Sequence, residues 1–128
     1  MPTFPVVTGD VLTSTIFNGL PAFAVQTAKT VDYTAASGDE YQQLIPMNKA
    51  TAIAFKIPTD ASYAFPVGTV ITVLNIGAGV CTISAVTPGT TTILSAGATA
   101  ASPTLAQYKS AACIKTAANA WYVVGAIA

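Results

Sequence analysis

From Thr30 onward, apolar and polar residues alternate with a period of two, the spacing of a half-buried strand. Ala52–Ile57 is the clearest case: Ile53, Phe55 and Ile57 fall on one side, Ala52, Ala54 and Lys56 on the other, and Pro58 ends the run. The same pattern predicts strands over Thr30–Ala35, Leu44–Asn48, Thr69–Ile76, Val80–Val86, Thr91–Ser95, Gln107–Thr116 and Trp121–Ile127. Pro46 marks an edge or bend, because proline cannot donate to a ladder. Gly77-Ala78-Gly79 reads as a hairpin turn. Ala117–Ala120 reads as a second turn, with Asn119 suited to the left-handed conformation. Ser37 and Glu40 have capping-box spacing, which predicts one helical turn over 38–43. No long stretch carries helical periodicity. Short strands separated by turn residues predict an all-β fold, an antiparallel β-sandwich or jelly-roll-like barrel built from hairpins.

The first 28 residues differ. Pro2, Pro5, Gly9, Gly19 and Pro21 punctuate short apolar pieces, and Asp10 is the sole charge before Lys29. Thr13–Gly19 can form one turn, with Thr13 as N-cap and Gly19 closing it. Residues 1–28 are therefore expected to be an extended arm and 29–128 the β domain. The arm has to lay Phe4, Val6, Val7, Val11, Leu12, Ile16, Phe17 and Phe23 on something, either the protein's own body or a neighbouring subunit. These eight residues are the candidate partner interface.

Composition sharpens that expectation. The 128 residues are 52% hydrophobic and 8% charged, against about 25% charged in an ordinary domain. Five basic and five acidic residues cancel, and there is no histidine. All five bases are lysines (29, 49, 56, 109 and 115), so no guanidinium fork exists to grip phosphate. Five scattered lysines do not neutralise a run of phosphates, which argues against nucleic-acid binding. A mean hydropathy of +0.60 and a surface poor in charge favour association with other protein. Thr69–Val86 is apolar enough to suggest a membrane span, but Asn75 and the Gly77–Gly79 break divide it into two strands. No membrane partner is expected, and Met1–Pro5 has no secretory-signal pattern.

Catalytic chemistry finds little footing. Cys81 and Cys113 have no histidine to activate them. Cys81 alternates with Ile83 and Ala85 on an apolar face, while Cys113 shares its face with Lys109 and Lys115 and reads as wetter, so free thiols are expected. Asp39 and Glu40 are the one acidic pair, and capping of the turn after Ser37 accounts for them. The acids are otherwise too scattered for a metal, and the glycines fit no phosphate loop. Tyr63, Phe65, Tyr108, Trp121 and Tyr122 could in principle stack sugars, but in an antiparallel sheet core or interface roles are the expected ones for such aromatics. The sequence reads as non-enzymatic, with no cofactor.

Several stretches occur together in a suggestive order: Tyr33–Ser37, Leu44-Ile45, Phe65-Pro66-Val67-Gly68-Thr69-Val70-Ile71-Thr72-Val73, Gly77–Gly79, Leu105–Tyr108, Ile114-Lys115 and Trp121–Gly125. The series resembles a β-rich module of tailed-bacteriophage virion proteins, over roughly residues 30 to 128. Gly9-Asp10-Val11-Leu12-Thr13 resembles a stretch found early in phage fibre chains. Pro46 departs from the module, which often has Lys or Arg there. The resemblance implies a virion structural protein, made in the host cytoplasm, and transfers no catalytic residue. A small stand-alone chain with an arm suits a capsid decoration (cement) protein. Such a protein would be a homo-oligomer, a trimer by preference, bound to the major capsid protein or another virion protein. The alternative is a tail- or head-fibre, spike or adaptor subunit with a host-surface or carbohydrate-binding role.

Overall fold

The computed structural model describes residues 25–41 and 44–128. Among them the chain is all-β, with nine strands and no helix. These are β1 (Tyr33–Thr34), β2 (Leu44–Met47), β3 (Ile53–Ile57), β4 (Val70–Asn75), β5 (Cys81–Ala85), β6 (Thr92–Ser95), β7 (Thr104–Leu105), β8 (Ser110–Ala117) and β9 (Ala120–Gly125). They form a four-stranded sheet, β1-β3-β5-β7, and a five-stranded sheet, β2-β4-β8-β9-β6. Both sheets are mixed. Pairs β1/β3, β2/β4, β3/β5 and β6/β9 are parallel, whereas β4/β8, β5/β7 and β8/β9 are antiparallel. Neither sheet closes into a barrel.

The expectation of antiparallel sheets joined by local hairpins is thus corrected. From β1 to β8 successive strands alternate between the two sheets, so the chain winds as a coil. Parallel neighbours need a long connection. Here each connection runs through the opposite sheet, which is how parallel pairs arise without helices. The segment β2–β3 stacks on β4–β5 with a constant offset: Ile45 pairs with Val73 and Phe55 with Ile83. Gly77-Ala78-Gly79 is therefore an arch between sheets and not a hairpin turn. Its backbone hydrogen bonds go to the arch beneath it, from Gly77 N to Met47 O at 3.3 Å and from Gly79 N to Lys49 O at 2.9 Å.

Among the described strands, only β8 and β9 are consecutive and paired as a hairpin. The turn is where the sequence places it, with Asn119 at φ 51°. Pro46 lies in β2, the edge strand of its sheet, whose outer side is flanked by the bridges Val25–Leu44 and Lys29–Met47. Residues 25–28, expected to belong to the arm, thus run beside β2, and Lys29 N donates to Pro46 O at 2.9 Å. The turn after Ser37 is non-helical where described, with Asp39 N bonded to Ala36 O and Tyr41 N to Gly38 O. Glu40 folds back to accept from Gly38 N. Residues 42 and 43 lie outside the described part.

One apolar cluster fills the space shared by both sheets. Ile53, Phe55, Ile57, Cys81, Ile83 and Leu105 come from the four-stranded sheet, and Ile45, Met47, Ile71, Val73, Cys113, Trp121 and Val123 from the five-stranded one. Phe65 enters it from the connection before β4 and meets Trp121 edge-on, with centroids 5.7 Å apart. Strand β3 buries the three residues its alternation selects.

Candidate interaction surface

Three polar arrangements hold loops onto this core. Asp39, 4% exposed, accepts hydrogen bonds from Tyr33 Oη, from Gln26 Nε2 at 2.6 Å and from the Ala36 amide at 2.8 Å. Burial and the neighbouring Asp39 carboxylate together raise the Tyr33 phenol far above its usual range. Glu40 accepts from Tyr63 Oη. Both acids are thus engaged in ordering the segment around the 36–41 turn.

Asn75 is wholly buried. Its Nδ2 donates to Gly79 O and Leu105 O, each at 2.8 Å, and its Oδ1 accepts from Gly77 N. It therefore ties the arch to β7. The residue that interrupts the apolar run in sequence is the one that satisfies the arch's polar groups.

Lys115 anchors the third arrangement and is buried, contrary to the wetter face that its alternation with Cys113 suggests. The face of β8 carrying Ala111, Cys113 and Lys115 points into the core, so Cys113 is buried and not on a wetter face. Lys115 Nζ donates to Asp60 Oδ1 at 2.8 Å and to Phe65 O at 2.6 Å. Asp60 in turn accepts from Asn119 N, and its own amide donates to Asn119 Oδ1. The pair pins the Pro58–Pro66 connection to the β8–β9 turn. Both thiols are free, and desolvation pushes Cys81 up to about 11 and Cys113 to about 12. A thiol held neutral in this way is a poor nucleophile.

Of the sugar-stacking candidates, Trp121 and Phe65 are core residues and Tyr63 is half-buried against Phe65. Tyr108 and Tyr122 are exposed but project from different places, the β7–β8 connection and the outer face of β9. No aromatic pair among the described residues forms a sugar platform. A cavity of about 230 Å³ lies beside β6, between the end of β5 with the loop that follows it and the loop after β6; Ala85, Pro88, Ile93 and Ala101 line it, and Thr91 and Thr92 supply its polar side chains, few to orient a ligand. Among the described residues, no three His, Cys, Asp or Glu side chains gather to hold a metal, and no helix is long and apolar enough to cross a membrane.

The outer faces of the two sheets differ sharply. On the four-stranded sheet the outward positions are Thr34, Ala54, Lys56, Thr82, Ser84 and Thr104, a polar row with Asp32 beside it capping the Ala54 amide at 3.0 Å. On the five-stranded sheet they include Leu44, Val70, Leu74, Ile114, Leu94, Tyr122 and Val124, with Thr72, Thr92 and Ala112 between them. No outward position on those strands is ionisable except the Tyr122 phenol. Register brings Leu94 and Ile114 to either side of Tyr122, and Ala112 beside Val124. Leu94, Tyr122 and Val124 remain 44%, 46% and 50% exposed. Alternation in sequence shows which residues share a face, but not that these five strands share one sheet. The arm residues proposed as a partner interface, Phe4, Val6, Val7, Val11, Leu12, Ile16, Phe17 and Phe23, lie outside the described residues.

Comparisons with protein-family models, curated proteins and solved structures return no match for this chain.

Proposed function

We propose that this chain is a non-enzymatic structural subunit of a tailed-bacteriophage virion, a decoration protein that binds and stabilises the head shell. Its two mixed sheets are read as a sandwich that presents one adhesive face. The observation that supports the reading is the outer face of the five-stranded sheet, where apolar side chains stand exposed with no fixed charge among them. Exposed apolar area of this kind marks an interaction site on a protein. The chain's low charge and its resemblance to phage surface modules point the same way. The arm, with its eight apolar residues, supplies the contact to the shell, and the sheet face supplies the contact between neighbouring subunits.

Co-sedimentation with phage heads lacking the protein tests this. The full chain should pellet with the heads, and a chain lacking residues 1–24 should pellet less. That cut keeps Val25–Lys29, which hydrogen-bond along β2. Full-chain protein left in the supernatant at saturating head concentration would overturn the reading.

A further inference from the structure

We infer that the outer face of the five-stranded sheet is covered by a second copy of this chain, centred on Leu94, Tyr122 and Val124. Three observations carry it. First, the apolar groups are contiguous: exposed Leu94 pairs with exposed Tyr122 across β6/β9, and half-buried Ile114 pairs with Tyr122 across β8/β9. Second, among the described residues no outward strand position of this sheet carries a carboxylate or ammonium, whereas the opposite sheet's outer face carries Lys56 with Asp32 beside it. Third, the exposed residues are an aromatic and branched aliphatics, the types that pack when two sheets meet face to face.

Charge favours an equally uncharged occupant over an ordinary protein surface. A protein surface of ordinary composition is about one-quarter charged, and seating it here would strip water from ions with no counter-charge opposite. A second copy presents the same uncharged face, so pairing strands no ion and opposes no like charges. It also allows an isologous contact in which each residue meets its own counterpart or a neighbour. This inference rests on the assembly reading above, yet the two fail separately, because a monomer that still pellets with heads would remove the self-contact alone.

The test is size-exclusion chromatography with light scattering on the full chain, beside Leu94→Lys and Tyr122→Lys. The wild type should elute at a multiple of its 13.0 kDa chain mass, and each lysine variant should fall to the single-chain mass with an unchanged circular-dichroism spectrum. Thr92→Cys, an exposed position on the same face, keeps the test open if a lysine variant misfolds. It should yield a covalent dimer on mild oxidation by dissolved oxygen, each pair of thiols losing two protons and two electrons to form one disulfide. A wild-type monomer at millimolar concentration overturns the inference, as does an oligomer that survives folded lysine variants. So does a monomer in which the arm shields Tyr122 from solvent quenchers.

Discussion

Gly79 lies so close to Thr51 that a β-carbon on the glycine would sit 1.8 Å from the threonine carbonyl oxygen. Gly77 stands in the same relation to the Lys49 backbone, at 2.3 Å from its amide nitrogen. The arch between β4 and β5 is therefore laid directly on the arch between β2 and β3. This contact carries the in-register stacking of the parallel strands, and through it the width of the five-stranded sheet. The obstacle to a side chain here is backbone, which cannot swing aside.

Gly79→Ala and Gly77→Ala should each destabilise the protein by more than about 3 kcal/mol, at the severe end for single substitutions. Gly89→Ala, whose added methyl meets nothing within 4 Å, should stay within about 0.5 kcal/mol of wild type. Thermal unfolding of the three variants checks the contrast.

The ion pair beneath the β8–β9 turn should respond unequally to removal of its two members. Asp60→Ala leaves the Lys115 ammonium, 2% exposed, with only the Phe65 carbonyl, and should cost about 3 kcal/mol. Lys115→Met should cost less, because the Asp60 side chain is 23% exposed and regains water. Urea unfolding of both variants measures the asymmetry.

Tyr33→Phe removes the hydroxyl that bonds both oxygens of Asp39, at 3.0 and 2.8 Å. A hydrogen bond to a buried carboxylate puts the loss at about 2 kcal/mol. Faster amide exchange should be confined to the 36–41 turn and β1, which hydrogen-exchange mass spectrometry resolves.

The thiols set an alkaline limit. Below the ordinary thiol value of 9.0 both folded and unfolded chains hold these protons. Above it the unfolded chain releases them first, since the folded values are raised to about 11 and about 12. Stability should therefore fall as pH climbs from 9 toward 11. At pH 8 a disulfide reagent should label neither cysteine until denaturant is added.

What the sequence reveals and conceals follows the range of each interaction. Alternation is local, so β3 and its buried Ile53, Phe55 and Ile57 are legible residue by residue. Asn119 is legible too, because a two-residue turn depends on its own residues. Gly77-Ala78-Gly79 suits either a hairpin or an arch, and the choice is made by the backbone of Lys49 and Thr51 far upstream. Lys115 looks like a solvent-facing residue until Asp60 supplies its partner. Strand β7 has only two residues, too few to show a period. The apolar outer face of the five-stranded sheet depends on strand order within the sheet, which no local pattern encodes.

Electron cryo-microscopy of tailed-phage particles assembled with this chain tests most directly whether protein covers the apolar face of its five-stranded sheet. The account predicts subunit density on the outside of the head, with Leu94, Tyr122 and Val124 buried against neighbouring protein. Heads bare of that density, or subunits whose five-stranded sheet faces open solvent, would contradict it.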